Sequence, residues 1–347
     1  MRSGFRRYLF RRVGFALLLI FAVSSASLLL ARLAPSDDVF AVDRVILAAE
    51  RHRLGLDKPL LEQYLDWLGR TLRFDFGESL RFRRPVAELI RERAGRTALL
   101  GFSALALATL VGIPLGVFTG SRPSGLLTST VRLASIVVLS MPSLVTSLVL
   151  LLLAARTGWF PAGGLPTISD GTGTLHSIFI VGRYLFLPAL ALALPMAAAL
   201  ERLQSRAIRE SLTEPCIVAA LARGVPRQRV IWRHAFRLGL KTVLAIYGIM
   251  IGTALGGSFV VEIVMAWRGL GDLMYQALQS RDLYLVAGCA AAGSCGLAFG
   301  ILLSDVALAA IDPRVEDVET LKASIPSVTA FHRTGWLPGL PAAFCPA

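Results

Sequence analysis

The chain has 347 residues, of which 55% are hydrophobic and only 17% are charged, and its mean hydropathy is +0.64. A soluble domain is about one-quarter charged, so this composition excludes an ordinary soluble protein and places the chain in the membrane class. The net charge of +13 fits basic loops and anionic headgroups, so we expect membrane lipid and no nucleic acid among the partners.

Six apolar segments reach or approach the roughly 20 residues that a membrane-spanning helix needs. They are residues 13–31, 98–120, 133–155, 181–200, 242–261 and 285–304. The first is longer than the apolar core of a signal peptide, and the ARLAPSDD that follows is a poor cleavage site, so we interpret it as a retained helix. The sequence therefore predicts an all-α integral membrane fold with six spans.

Arginine and lysine orient these spans. Residues 1–12 carry five arginines and no acid, and the loop 201–241 carries nine basic residues against three acids. The short loops 156–180 and 262–284 hold one and two basic residues. Because short cytoplasmic loops are enriched in arginine and lysine, we expect the N-terminus, the loop 201–241 and the C-terminus to be cytoplasmic.

The segment 32–97 is then external, and its pattern is amphipathic. One set of apolar residues recurs at helical spacing: Leu60, Leu61, Tyr64, Leu65, Trp67, Leu68 and Leu72. A second amphipathic piece, RPVAELIRER, includes Pro85. Both pieces fit interfacial helices on the outer membrane surface, and both fit equally a small helical cap packed on the bundle.

Helix breakers and glycines interrupt the spans. Pro114, Pro142, Pro188 and Pro195 fall within spans, and together they favour a bundle that changes shape. Two glycine ladders at a spacing of four each present one helix face that a second backbone can approach closely. They are Gly112, Gly116 and Gly120, and Gly248, Gly252 and Gly256. The partner of either ladder is a helix of the same chain or of another subunit.

The sequence contains no motif for chemistry. It has no GxxxxGK[ST], HExxH or GxSxG, and its four histidines and four cysteines form no metal pattern. We expect no catalytic site, metal or cofactor. The acids of the last two spans, Glu262 and Asp305, lie near their ends, whereas ion-coupled carriers place carboxylates near the midplane. The energy source is therefore predicted to lie outside the chain; an ATP-independent channel or carrier and a membrane enzyme are the alternatives.

Residues 218–237, VAALARGVPRQRVIWRHAFR, hold five arginines and no acid. Helical spacing over 203–223 predicts one helix that Gly224 ends, after which Val225-Pro226 turns the chain. A second, basic amphipathic helix is predicted from Arg227 to Arg237. This arrangement suits a docking site for a soluble partner.

The stretch resembles the EAA loop of binding-protein-dependent ABC importer permeases, in which Glu-Ala-Ala precedes Gly with three residues between. Val218, Ala219, Ala220 and Gly224 occupy these places, with Val218 where the family has glutamate. The resemblance extends over most of the chain, through the segments RYLFRRVGFALLLIFAVSSASLLLARLAP, SMPSLVTSLVLLLLAARTGWFPAGG, VEIVMAWRGLGDLMYQALQSRDLYLV and IDPR. The chain is similar to the B-type inner-membrane permease subunit of dipeptide, oligopeptide and nickel importers.

This resemblance implies a type I importer permease fold over 98–314, in a bacterial inner membrane. It implies that the loop 201–241 docks on an ATPase subunit through Val218, Ala219, Ala220, Arg223, Gly224, Arg227 and His234. The implied partners are a second homologous permease, two ATPase subunits and an external solute-binding protein. Dipeptide, oligopeptide, nickel chelate, glutathione and opine-like solutes all remain open as substrates. The tail 315–347 is longer than the family usually has, and we expect it to be disordered.

Overall fold

The computed structural model describes residues 75–311, with gaps at 123, 162 and 165–173, and scattered residues between 13 and 70. Most of the predicted first span, the first amphipathic piece of the external segment and the tail 315–347 lie outside the described residues. The described residues between 13 and 26 are helical.

The described part of the chain is helical, and its only β-type pairing is an isolated antiparallel bridge between Glu78 and Pro85. The helices are α1 (Val86–Ser121), α2 (Leu126–Ser140), α3 (Ser143–Thr157), α4 (Thr174–Leu212), α5 (Pro215–Ala222), α6 (Arg227–Arg229), a π-helical turn (Val230–Ala235), α7 (Phe236–Leu244), α8 (Tyr247–Val264), α9 (Leu270–Gln279) and α10 (Leu283–Ile311). The predicted all-α membrane class is confirmed.

Four of the described helices are long and apolar enough to cross a membrane, namely α1, α8 and most of α4 and α10. A fifth candidate is the pair α2–α3, which is bent by 108°. The described residues therefore supply up to five of the six predicted spans.

The bend lies within the predicted span 133–155, in which Pro142 is a predicted helix breaker, and it divides that span into two helices. It lies at Met141-Pro142, where Met141 has the extended backbone angles φ −85° and ψ 124°. A residue before proline is disfavoured in the helical region, so α2 ends there and α3 begins after Pro142. The other three prolines, Pro114, Pro188 and Pro195, lie inside α1 and α4 without ending either helix.

Within the piece RPVAELIRER, Val86 begins α1, so the piece continues into a candidate membrane span and is neither a separate interfacial helix nor a separate cap. Val86 and Leu89 are buried in one cluster with Leu285 of α10. The preceding residues pack there too, since the Ser79 hydroxyl donates to the Asp282 carboxylate at 2.5 Å. This end of α1 is therefore fixed to the bundle by apolar and polar contacts.

The closest helix pair is α1 with α4. A Cβ added at Gly112 would lie 2.6 Å from the carbonyl oxygen of Ala197, and one at Gly120 would lie 2.6 Å from that of Ser205. The first glycine ladder thus has its partner helix in the same chain. The second ladder is looser, because a Cβ at Gly256 would have no neighbouring atom within 4 Å.

Candidate coupling site

The arginine-rich loop 201–241 is built differently from the single helix predicted over 203–223. Helix α4 ends at Leu212, and α5 begins at Pro215. Proline is favoured at the first helical position because its missing N–H would have no partner there in any case. Pro215 therefore begins a new short helix, and Thr213 and Glu214 form the break between the two.

Helix α5 ends in a Schellman motif. The Val225 amide donates to the Ala220 carbonyl at 3.2 Å, and the Gly224 amide donates to the Leu221 carbonyl at 2.9 Å. Gly224 has φ +80°, the left-handed conformation that such a cap requires. Gly224 ends the helix as the sequence predicts, and Val225 leads the chain into the next one.

The two faces of α5 differ in exposure. Ile217 and Ala220 are buried against Val230. On the opposite face, 52% of Val218 and 40% of Leu221 are exposed, and Ala219 is exposed beside them. Val218, Ala219 and Leu221 therefore form a shallow apolar surface on the outside of the loop. Ala220 belongs to the buried contact with Val230.

The π-helical turn connects α5 to the long helices. Val230 contacts α5 from one side, and Ile231 and Ala235 are buried with Val117 of α1 and Ile208 of α4. The wider turn of a π-helix is frequent at functional sites. A continuous set of apolar contacts thus runs from α5 to the α1–α4 pair.

The predicted basic residues of the site point in different directions. The Arg223 guanidinium donates to the Ala219 carbonyl at 3.3 Å, so it lies along its own helix. The Arg227 guanidinium donates to the Ser121 carbonyl at 3.2 Å and therefore reaches back to the end of α1. His234 is exposed. The structure brings Val218, Ala219 and Gly224 to one surface and directs Arg227 elsewhere.

Two polar residues within the predicted loop 201–241 are buried. Glu201 is 1% exposed and Gln204 is 0% exposed. The Thr119 hydroxyl of α1 donates to the Glu201 carboxylate, and the Arg132 guanidinium of α2 donates to the Thr119 carbonyl at 2.8 Å. Thr119 thus connects three helices close to the coupling site. The signal in the sequence was the ladder of α1, whose Gly116 faces Gln204.

The opposite end of the bundle is organised around Glu262. Its carboxylate accepts hydrogen bonds from the Thr97 hydroxyl at 2.7 Å and from the amides of Gly271 at 2.7 Å and Asp272 at 3.2 Å. These amides belong to the first turn of α9, where a carboxylate is favourable. From the sequence, Glu262 was predicted only to lie at the end of a span, whereas its carboxylate joins α1, α8 and α9.

Comparison with known families identifies this arrangement. Residues 112–317 match the sequence model of the binding-protein-dependent transport system inner membrane component family. The chain belongs to this family. The match includes α5, the Gly224 turn, the π-helical turn and the helices that they contact.

Relatives within the family support this assignment. The chain is 33% identical to the oligopeptide transport system permease protein AppB of Bacillus subtilis (strain 168), over 89% of this chain and 99% of that protein. It is 32% identical to the di/tripeptide transport system permease protein DppB of Pseudomonas aeruginosa (strain UCBPP-PA14), over 80% of this chain and 89% of that protein. The chain is thus a multi-pass inner-membrane transport component.

Proposed function

We propose that this inner-membrane component carries peptides or similar small solutes, and that it works as the permease of an ATP-binding-cassette importer. The observation that carries the proposal is the arginine-rich loop, in which an exposed apolar surface is joined by buried contacts to α1 and α4. We infer peptides as the class of transported solute from the names of the two relatives, which are peptide permeases.

The partners that suit this geometry are two ATPase subunits, a second homologous permease and an external solute-binding protein. The loop faces the cytoplasm in this proposal, together with the N-terminus, because its nine basic residues outnumber its three acids. The Glu262 end of the bundle then faces the binding protein. ATP is bound and hydrolysed by the ATPase subunits.

Docking uses the outer face of α5. Its small side chains at Val218 and Ala219 let the partner approach closely, and Leu221 adds apolar area that the partner removes from water. Val218 stands where the resemblance expects a glutamate, so the contact here is apolar rather than charged. We expect Arg223 and His234 to lie at the rim of this contact.

A displacement of α5 reaches the membrane through packed side chains. Its inner residues Ile217 and Ala220 press on Val230, and the residues that follow in the π-helical turn press on Val117 and Ile208. Because packed interiors are dense and transmit strain, closure of the ATPase subunits moves the ends of α1 and α4. Alternating access follows from that movement.

Substitutions at Gly224 test the coupling. A Cβ at this position would meet no atom within 4 Å, so a side chain there disturbs a docked partner more than the chain itself. Asn and Asp both tolerate φ +80° better than other residues. Gly224→Asn and Gly224→Asp therefore form a matched pair that differs in one charge, and Cys216→Ser serves as a control inside the loop.

The assay uses liposomes that contain the permease pair, both ATPase subunits and the peptide-loaded binding protein. We expect Gly224→Asp to lower peptide uptake per ATP hydrolysed by about tenfold or more, which corresponds to about 1.4 kcal/mol of lost coupling. Gly224→Asn lowers it less, and Cys216→Ser leaves it unchanged. Normal uptake by Gly224→Asp would overturn the coupling assignment, and peptide flux through the chain alone without ATP would favour a channel or carrier.

A further inference from the structure

A cavity of about 430 Å³ opens beside the arginine-rich loop, at the end of α1. Its walls come from α1, from the residues after α1 and from the start of the helix that follows Gly224. The lining residues used below are Phe118, Arg122, Arg227, Gln228 and Trp232. We propose that this cavity binds the phosphate headgroup of an anionic phospholipid from the adjacent leaflet.

The charge of the cavity suits a phosphate group. Arg122 and Arg227 lie on its wall, and none of its described lining residues is acidic. Within the described part of the chain, the ion pairs found involve other arginines. Arg227 uses one guanidinium donor on the Ser121 carbonyl, and a guanidinium has five. Donors therefore remain for a phosphate.

The apolar wall of the cavity continues as a path for an acyl chain. Leu110, Pro114 and Phe118 follow one another at a spacing of four on one side of α1, and Arg122 comes directly after the last residue of that helix. Leu110 at the far end is 71% exposed. The Arg122 guanidinium lies 4.6 Å above the Phe118 ring. The face thus changes from apolar to cationic at the cavity, as a phospholipid changes from chain to headgroup.

The cavity also has an aromatic residue on its wall, Trp232. Trp232 lines the cavity, is 53% exposed and has its ring centroid 5.7 Å from that of Phe236. Tryptophan is enriched where the hydrocarbon meets the headgroups. The position of Trp232 therefore places the cavity at the headgroup level, and it favours a lipid over a soluble phosphate compound.

The occupant would join two parts of the coupling machinery. Arg122 follows the last residue of α1, and Arg227 begins the helix that leads from the Gly224 turn into the bundle. A phosphate between them screens the repulsion of two cations and holds these segments together. The lipid site stands independently of the transported solute and of the docking surface on α5.

Lipid binding is measured by native mass spectrometry on the full chain in detergent, in its complex where partners co-purify. The probes are phosphatidylglycerol and, as a zwitterionic comparison, phosphatidylcholine. We expect a clear preference for phosphatidylglycerol. Arg122→Gln combined with Arg227→Gln should lower the affinity of the chain for phosphatidylglycerol about tenfold or more, because a basic residue near an anionic headgroup contributes strongly to lipid binding.

Two further comparisons keep the test decisive. Arg229→Gln with Arg233→Gln removes the same charge from exposed positions outside the cavity, and we expect less than a threefold effect. At Gln228, substitution by Glu should weaken phosphatidylglycerol binding and substitution by Lys should strengthen it. Because Gln228 is exposed, its two variants still test the lipid site if the double variant of Arg122 and Arg227 does not fold.

Several outcomes would overturn the proposal. One is equal binding of phosphatidylcholine, and another is an equal loss in the Arg229 and Arg233 variant. A third is displacement of the lipid by an equal concentration of glycerol phosphate or inorganic phosphate, which would indicate a soluble phosphate compound. Shifts of the same sign for the two Gln228 variants would show that the cavity does not respond to charge.

Discussion

The close contact between α1 and α4 predicts that Gly116→Ala destabilises the protein. A Cβ added there would lie 2.6 Å from the Cβ of Gln204 and 2.8 Å from the carbonyl oxygen of Glu201. Carbon atoms in contact prefer about 3.5–4.0 Å, so Gly116→Ala needs about 1 Å of extra separation. Neither neighbouring atom can rotate away, because one is backbone and the other is attached directly to it.

The expected cost follows from two opposing effects. Overpacking of a dense interior costs about 1–3 kcal/mol, and exchange of glycine for alanine within a helix returns about 0.5–1 kcal/mol. Because the clash is with backbone and with a Cβ, the overpacking cost lies in the upper part of its range, about 2–3 kcal/mol, and the net destabilisation is then about 1–2.5 kcal/mol. At about 2–4 °C per kcal/mol for a domain of this size class, the unfolding midpoint falls by roughly 2–10 °C.

The matched control is Gly256→Ala in α8, where the added methyl group meets nothing within 4 Å. This variant gains helix propensity without a clash, so its midpoint should stay the same or rise. The assay heats detergent-solubilised protein and measures the fraction that still elutes as a single species in size-exclusion chromatography. An unchanged midpoint for Gly116→Ala, or an equal loss for Gly256→Ala, would refute the close contact of α1 and α4.

Two more substitutions test other contacts. Glu262→Ala leaves the Thr97 hydroxyl and two α9 amides without their acceptor. We therefore expect the free energy of unfolding to fall by at least about 2 kcal/mol and proteolysis at 262–284 to become faster. Glu262→Gln should lower the stability less, and equal losses for the two variants would contradict the assigned acceptor role. Gly300→Ala collides with the Ile251 side chain, so its destabilisation should shrink in an Ile251→Ala background, a non-additivity that the same thermal assay measures.

Local chemistry was enough to predict the turn at Gly224. Glycine readily adopts the left-handed conformation of a helix cap, and the residue before proline is disfavoured in the helical region, so Gly-Val-Pro together favour the end of a helix. The spans could be predicted for a similar reason, since about 20 apolar residues are costly to place anywhere except in a bilayer. These parts of the fold depend little on tertiary contacts.

Other features depend on neighbours that the sequence does not reveal. Four prolines were equivalent as sequence signals, but only Pro142 ends a helix in the described structure. A helix interrupted by proline continues where nearby groups compensate for the lost hydrogen bond, and that depends on packing. The burial of Glu201 was missed for the same reason, because its polarity suggested a loop while the glycine face of α1 covers it.

The path of the proposed coupling follows the most closely packed part of the bundle, the α1–α4 pair. Helix α1 has 36 residues, or about 54 Å at 1.5 Å per residue, and Gly112, Gly116 and Gly120 hold it against α4. It also contacts the π-helical turn near one end and Glu262 near the other. In the proposed coupling, a push on the loop would move α1 and α4 together and would reach the Glu262 end along α1. Relative movement is then left to the elements beside this pair, and the break at Met141-Pro142 gives α2 and α3 a place to bend.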